Sequence, residues 1–226
     1  MRIPSLNAGI IPGALCGALL LASASSAAAS PVAVTAQAGT LGAGGSVYLA
    51  LPYHADMRFG GNYFSLSHAL DSGGVHYDGS VRLQSFTLLA DWHPFHGVFR
   101  LTGGVAYNDN RFSLTATPSG GTYTINNHSY TAKKVTSLTG AVTFNRADPY
   151  FGIGLGNPFR GGHWTFGLDL GVLYQGTPKV SLTATGAAVG SSQLGADLAA
   201  AAGQVRSDVR KYKWYPVAMF SVGYRF

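Results

Sequence analysis

Large apolar residues alternate with small or polar residues through most of this 226-residue chain. From Phe166 to Tyr174 every second residue is large and apolar, and most of the residues between them are Gly or Asp. Successive side chains of a β-strand point to opposite faces of a sheet, so a period of two predicts a strand with one apolar face. The pattern recurs in residues 41–51, 57–63, 99–108 and 219–226. The chain is therefore predicted to be all-β.

The second face of these strands distinguishes a membrane barrel from a soluble β-sandwich. In a soluble sheet the second face is rich in charge, whereas here it is mostly Gly, Ser and Thr with isolated Arg and Asp. Charged residues make up 11% of the chain, against about 25% in soluble domains. Lipid offers the backbone no hydrogen-bond partner, so strands that face it must close into a barrel. We therefore predict an antiparallel up-and-down transmembrane β-barrel with a narrow, crowded lumen.

The N-terminal region has the organisation of a secretory signal peptide. One basic residue precedes an apolar stretch at 8–22, which Pro12 interrupts, and small residues follow as far as Ala29. An apolar stretch of about 15 residues is too short for a permanent membrane helix. We predict cleavage after Ala29, with cleavage after Ala38 as the alternative. Cleavage after Ala29 leaves a signal peptide, 1–29, and a barrel domain, 30–226. The single cysteine lies in the signal peptide, so the mature chain is expected to contain no disulfide.

Two segments resemble known membrane barrels. The C-terminal residues 215–226 alternate and end on an aromatic residue, and residues 149–156 read PYFGIGLG. Both segments resemble small bacterial outer-membrane β-barrels of the OmpA, OmpX and OmpW type. The resemblance implies Sec-dependent export to the outer membrane of a Gram-negative cell envelope and insertion by the barrel-assembly machinery. It also implies a C-terminal assembly signal, formed by Phe220, Val222, Tyr224 and Phe226.

The alternation predicts seven strands, at 39–51, 57–66, 80–93, 98–108, 141–156, 163–175 and 214–226. Bacterial barrels have an even number of strands, so we expect about eight, with ten as the second choice. Residues 33–39, or part of 112–131, would supply the missing strand. The pentapeptide SLTAT occurs at 113–117 and again at 181–185, and the residues before each copy also match. This repeat predicts two equivalent hairpins, 80–107 and 146–174.

Loop lengths predict the orientation of the barrel. With Phe226 on the periplasmic side, the short connections 52–56, 94–97 and 157–162 lie in the periplasm. The long connections 67–79, 109–140 and 176–213 then face outward, as they do in outer-membrane barrels. Residues 193–211 depart from the period of two, because their apolar residues recur at helical spacing. We predict an amphipathic helix near 193–211 that packs on the barrel rim or closes its mouth, or that binds the interface or a partner.

Isolated charges on the second face are expected to meet inside the lumen. The predicted lumen charge network consists of Arg58, Arg82, Arg100, Asp169 and Arg225. The alternation is interrupted near Ser85, so it does not decide whether Asp91 faces the lumen or the lipid. Charges in so confined a space should pair, and the network either fills the lumen structurally or acts as a filter for a small anion.

Other basic residues lie in or beside the predicted outward loops. These residues are Lys133, Lys134, Arg206, Arg210 and Lys211. They are candidates for contact with lipopolysaccharide phosphates, or they are ordinary solvated charges. The basic residues form no stripe along the chain, so nucleic acid is not an expected partner.

The sequence contains no motif for catalysis. Its seven histidines form no metal-ligand pattern, and the chain has no Glu. We predict no enzymatic activity, no cofactor, no metal and a monomeric state. The expected function is a structural, adhesive or surface-interaction role in the outer membrane, with outer-membrane lipid and lipopolysaccharide as partners. A narrow channel for small solutes or hydrophobic molecules is the alternative, and a lipid-modifying enzyme ranks third.

Overall fold

The computed structural model describes residues 31–72, 74–118, 120 and 122–226, so the predicted signal peptide lies outside the described residues. Within them are thirteen strands and one helix. The strands are β1 Val32–Gly39, β2 Gly42–Leu51, β3 Ala55–Ser72, β4 Val75–Trp92, β5 Phe99–Asn108, β6 Arg111–Pro118, β7 Thr122–Ile125, β8 His128–Thr131, β9 Ser137–Thr143, β10 Ala147–Leu155, β11 Trp164–Tyr174, β12 Lys179–Thr185 and β13 Trp214–Arg225. The helix, α1, is Ser192–Val209.

Eight of these strands close an antiparallel barrel. The order around the wall is β1, β2, β3, β4, β5, β10, β11 and β13, and β13 pairs with β1 to complete the circle. The prediction of eight strands in an antiparallel transmembrane barrel is therefore confirmed. The eighth strand is β1, so the first of the two candidates, residues 33–39, supplies the missing strand. Residues 40–41 form a tight turn that separates it from β2.

The outer surface of the barrel is apolar and is bounded by two aromatic girdles. The lower girdle, at the end that carries Phe226, contains Trp92, Trp164, Tyr224 and Phe226, and the upper girdle contains Tyr63, Tyr107, Tyr174 and Trp214. Strand β11 runs from one girdle to the other in 11 residues. At about 3.3 Å per residue and a tilt of about 40° this distance is about 25 Å, the height of the apolar band of an outer-membrane barrel.

Five strands form a second sheet beyond the upper girdle, which we call the upper sheet. Its order is β3, β4, β6, β9 and β12, and the long strands β3 and β4 belong to both the barrel and the upper sheet. The predicted loop 67–79 is wrong, because β3 and β4 pair without a break as far as Ser72 and Val75. The alternation of apolar residues continues on one face of this hairpin. It is hard to recognise in the sequence because Ser and Gly residues occupy much of the hairpin.

The repeated pentapeptide occupies equivalent places in the upper sheet. Ser113 in β6 and Ser181 in β12 both pair with Ala141, so the two copies flank β9 in the same register. The predicted hairpins are confirmed as β4–β5 and β10–β11. Each repeat thus consists of a barrel strand followed by the upper-sheet strand that extends it.

Helix α1 packs against β12 and β7 in the upper part of the molecule. Its N-cap is Ser191, whose hydroxyl accepts a hydrogen bond from the backbone N–H of Leu194. Leu194 lies in a buried apolar cluster with Ile125, Tyr130 and Val135. The predicted helix is therefore present, and it rests on the upper sheet. No helix among the described residues is long and apolar enough to cross a membrane.

Candidate functional site

Four charged side chains from four different strands meet inside the barrel, and we call them the lumen charge cluster. They are Arg58 of β3, Asp91 of β4, Arg100 of β5 and Asp169 of β11. Both Arg58 terminal nitrogens contact Asp169, at 2.9 and 3.2 Å, and Nη2 also lies 3.0 Å from Asp91 Oδ1. Arg100 Nη2 donates to Asp169 Oδ1 at 2.8 Å. Two cations and two anions therefore form one connected group.

The lumen charge cluster is shielded from solvent and balanced in charge. No side chain in it is more than 4% exposed. Neutral groups extend the network: Thr102 donates to Asp91, Arg58 donates to the Tyr48 hydroxyl, and Arg100 donates to the backbone carbonyl of Gly156. Buried charges are tolerated only when they are paired and hydrogen-bonded. The cluster therefore closes the lumen with side chains that stabilise one another.

A second layer closes the lumen toward the upper end. It is a buried apolar cluster, formed by Leu41, Leu89, Ala106, Tyr150, Leu173, Val217 and Met219. The cavity between the two layers measures only about 20 Å³, which is enough for about one water molecule. This layer was not predicted from the sequence. Leu173 follows Asp169 by four residues in β11, however, and residues an even number apart in a strand lie on the same face.

Two members of the predicted lumen network lie elsewhere. Arg82 is exposed and donates to Gln84, and the unbroken register of β3 with β4 places it on the outer face. Arg225 lies at the lower end, where it donates to the carbonyls of Phe159 and Gly161. The structure also places Asp91, which sequence reasoning left open, in the centre of the cluster.

Histidines gather at the lower mouth of the barrel without forming a recognisable catalytic arrangement. His93 is buried, with Nε2 2.9 Å from Asp56 Oδ2 and Nδ1 3.2 Å from the carbonyl of Phe99. The rings of His54 and His96 lie 3.9 Å apart in the neighbouring turns. Acceptor oxygens thus lie beside both ring nitrogens of His93. Within the described residues, no group of three or more potential ligands is placed to hold a metal.

Asp197 of α1 fastens the helix to the β7–β8 hairpin. Its buried carboxylate accepts hydrogen bonds from the Tyr130 hydroxyl at 2.5 Å, from Asn126 at 3.2 Å and from Gln193 at 3.3 Å, and His128 Nδ1 lies 3.0 Å away. The Tyr130 hydrogen bond lowers the pKa of Asp197, and the same bond raises the pKa of Tyr130 to about 12. No sequence signal links Asp197 to a hairpin about 70 residues away.

The basic residues predicted to contact lipopolysaccharide are spread over the upper part. Lys133 and Lys134 are exposed in the turn that follows β8. Arg206 donates from α1 to the carbonyl of Val180 at 3.5 Å, and Lys211 lies over the ring of Tyr212. Arg210 is the C-cap residue of α1. The structure therefore does not bring these five residues together into one site.

The residues predicted to form the assembly signal lie at the outer face of β13. Phe220, Val222 and Phe226 are exposed on the lipid side, with Phe220 at 70%. Tyr224 packs edge to face against Trp164 and Phe226.

The inner face of the upper sheet forms an apolar groove of about 500 Å³. The face continues the lumen side of β3 and β4, and its central row runs across five strands in register: Leu66, Val81, Phe112, Val142 and Val180. Leu114 and Leu182 belong to the next row, and Val205 of α1 borders the groove. Leu66 and Leu114 are each more than half exposed, so this apolar surface is open.

The fold defines the class of protein. A closed eight-stranded antiparallel barrel, with an apolar outer surface between two aromatic girdles and a filled lumen, is an integral outer-membrane β-barrel. The predicted resemblance to small bacterial outer-membrane barrels is confirmed at this level.

The chain is similar to two solved structures from Acinetobacter baumannii. CarO2 is 27% identical with a TM-score of 0.57, and the match covers 88% of this chain and 100% of CarO2. CarO is 26% identical with the same TM-score of 0.57, over 87% of this chain and 98% of CarO. A major outer membrane protein from Thermus thermophilus, at 18% identity and a TM-score of 0.43, is too distant to add to this argument. No protein-family model matches the sequence, and no curated protein matches it either.

Replacing Asp169 by Asn should destabilise the barrel strongly. Asp169 is the shared partner of Arg58 and Arg100, so its loss leaves two buried cations with one anion. We expect a decrease of about 3–5 kcal/mol in the free energy of unfolding. Urea unfolding in lipid vesicles, followed by tryptophan fluorescence, measures the difference. Asp208→Asn makes the same chemical change on the exposed surface of α1 and should cost less than about 0.5 kcal/mol. Equal losses in the two variants would show that the cluster is not stabilising.

The attachment of α1 should depend on pH at both extremes. The lowered pKa of Asp197 means that its contribution is complete above the ordinary Asp pKa of about 3.9 and is lost as the pH falls through the folded-state value. The raised pKa of Tyr130 means that its contribution is complete below about pH 10 and is lost as the pH rises through about 12. Hydrogen exchange of the α1 amides measures the acid transition, and far-UV circular dichroism of the helix measures the alkaline one. Asp197→Asn should remove the acid transition and Asp208→Asn should keep it; a transition that persists in Asp197→Asn contradicts this assignment.

Proposed function

We propose that this protein is a non-conducting outer-membrane barrel that binds ligands at its outward end and does not transport them. The observation that carries the proposal is the doubly closed lumen, in which the lumen charge cluster and the apolar layer leave a cavity of about 20 Å³. An eight-stranded barrel is just wide enough for its own side chains to fill. A conduction path would require at least one complete layer to rearrange.

The upper sheet is suited to a role in surface interaction. It consists of barrel strands that continue outward, either directly in β3 and β4 or through short corners into β6, β9 and β12. Such an extension is held by the backbone ladder of the barrel, whereas a free loop would have to be ordered at an entropic cost on binding. Placing the longer connections on the cell exterior follows the pattern of outer-membrane barrels. The proposal contains no catalytic step.

The apolar groove favours a small hydrophobic molecule as the ligand. Its volume of about 500 Å³ lies within the range of about 300–1,000 Å³ for small-molecule sites. The lining is aliphatic and aromatic over two in-register rows, and His68 supplies a polar group at one side. Because the apolar layer of the lumen closes the barrel beneath, the groove is placed to capture such a molecule. Transport of hydrophobic molecules through the barrel, the second candidate, would need that layer to open.

Planar-bilayer recording tests whether the lumen conducts. We expect the folded protein to give no stepwise ion conductance in molar KCl, because no aqueous path crosses the two layers. A porin inserted into the same bilayers shows that channels are detectable, and the unboiled band on a heat-modifiability gel shows that the protein is folded. Reproducible conductance steps that disappear when the protein is heat-denatured would contradict the proposal.

A fluorescent naphthylamine probe tests the groove. Protein in lipid nanodiscs is titrated with N-phenyl-1-naphthylamine, and the signal of empty nanodiscs is subtracted. Leu114→Asp places a charge in the groove at an exposed position and should weaken probe binding by about tenfold or more. Ser181→Asp adds the same charge to the opposite face of the upper sheet and should change the affinity little. Equal affinity in wild type and Leu114→Asp rules the groove out.

A further inference from the structure

We propose that an arc of basic residues on the outer wall of the barrel binds the phosphorylated sugar headgroup of lipopolysaccharide in the outer leaflet. The basic arc consists of Arg82, Arg111 and Lys179, and Arg146 lies beside it in the lining of an adjoining cleft. All four residues are exposed. This inference is independent of the proposed groove ligand, because it concerns the opposite face of the sheet.

The basic arc lies at the level of lipid headgroups. Arg111 follows Tyr107 of the upper girdle by four residues, and Arg146 immediately precedes Ala147, the partner of Tyr107 in β10. On the unbroken strand β4, Arg82 precedes Phe86, the partner of Tyr107, by four residues. At about 3.3 Å per residue along a tilted strand, Arg82 and its partner Arg111 therefore lie about 10 Å beyond the girdle. Headgroups extend over a comparable distance beyond the hydrocarbon core.

Strand register directs the arc toward the lipid side. Phe86 and Leu88 of β4 are exposed on the outer wall, and Arg82 has the same parity on the same unbroken strand. Arg82 pairs with Arg111, Arg111 pairs with Thr143, and Thr143 pairs with Lys179. Residues that face one another across adjacent strands share one face of a sheet, so these cations project away from the groove.

A cleft in the wall lies beside the arc. The β6–β9 ladder ends at the Arg111–Thr143 pair, and the barrel ladder resumes at the hydrogen bond from Asn108 N–H to the Arg146 carbonyl. Between them is a cleft of about 470 Å³, whose lining includes Asn108, Arg111, Arg146 and Lys179. Asn108 is buried at 1% exposure, and its Oδ1 has no hydrogen-bond partner. The cleft therefore combines cations with a buried acceptor suited to a sugar hydroxyl.

The charge of this region is uncompensated. In the described part of the chain, no carboxylate lies within 4 Å of an arc side chain, and Asp109 is the only acid that lines the cleft. The outer wall of β1, β2 and β3 lacks such charge, since Arg58 is the single Arg or Lys between residues 31 and 81 and it is buried in the lumen. Arg recognises phosphate through paired, charge-assisted hydrogen bonds. A phosphate-bearing lipid bound to this side of the barrel accounts both for the lack of carboxylate partners and for the one-sided placement of the cations.

The test compares two double variants with equal loss of charge. Arg111→Gln with Lys179→Gln removes two cations of the arc, and Lys133→Gln with Lys134→Gln removes two exposed cations of the turn after β8. Folded protein in detergent is titrated with a deep-rough lipopolysaccharide, and the bound fraction is measured by native mass spectrometry. We expect the arc variant to bind about 30-fold more weakly, and the turn variant to bind within about threefold of wild type.

Three outcomes of this experiment overturn the proposal. Equal weakening in both double variants would show that net charge alone attracts the lipid. Undiminished binding of chemically dephosphorylated lipopolysaccharide to wild type would show that phosphate is not recognised. Displacement of the lipid by millimolar inorganic phosphate would assign the arc to free phosphate. Heat-modifiable migration on gels shows that each variant is folded, and loss of binding of the dephosphorylated lipid to wild type supports the proposal.

Discussion

The contact between Arg58 and Asp169 joins opposite sides of the barrel, and the filling of the lumen depends on it. Asp169 holds Arg58 and Arg100 together, and Asp91 contacts the same two guanidinium groups from β4. In a medium of low dielectric constant each of these charges would be costly alone. Together the four side chains carry no net charge and are hydrogen-bonded to one another. The barrel can therefore remain closed without a plug formed by a separate segment of chain.

Backbone hydrogen bonding is a second constraint, and it differs between the membrane-spanning part of the barrel and the part above it. Inside lipid every wall strand needs two partners, and all eight have them. Above the upper girdle water can satisfy a free edge, so the five strands of the upper sheet need not close into a circle. The resulting open sheet exposes both faces, and the sequence assigns them opposite chemistry. Phe112 and Leu114 face inward in β6, while Arg111 faces outward. One strand thus contributes to an apolar groove and to a basic wall.

The period of two predicted the barrel, its lipid face and the inward direction of Arg58, Arg100 and Asp169, because parity along a strand is a local property. It failed where the result depends on register between strands. Arg82 was expected in the lumen, but its pairing with Ser65 places it on the outer face. The hairpin at 67–79 was expected to be a loop because Ser, Gly and His obscure its alternation. The contacts of Asp197 could not be predicted from the sequence, since its partners come from a distant hairpin.

The two faces of the upper sheet are mechanically linked, which relates the proposed ligands to each other. Arg111 and Phe112 are neighbours on one strand, so a displacement of β6 moves both faces. A lipid headgroup held by the basic arc would fix the height of β6 and β12 above the hydrocarbon core. The groove would then keep a constant distance from the outer leaflet, from which a hydrophobic molecule can reach it. Lipid binding on the outside and ligand capture on the inside therefore favour the same position of one rigid sheet.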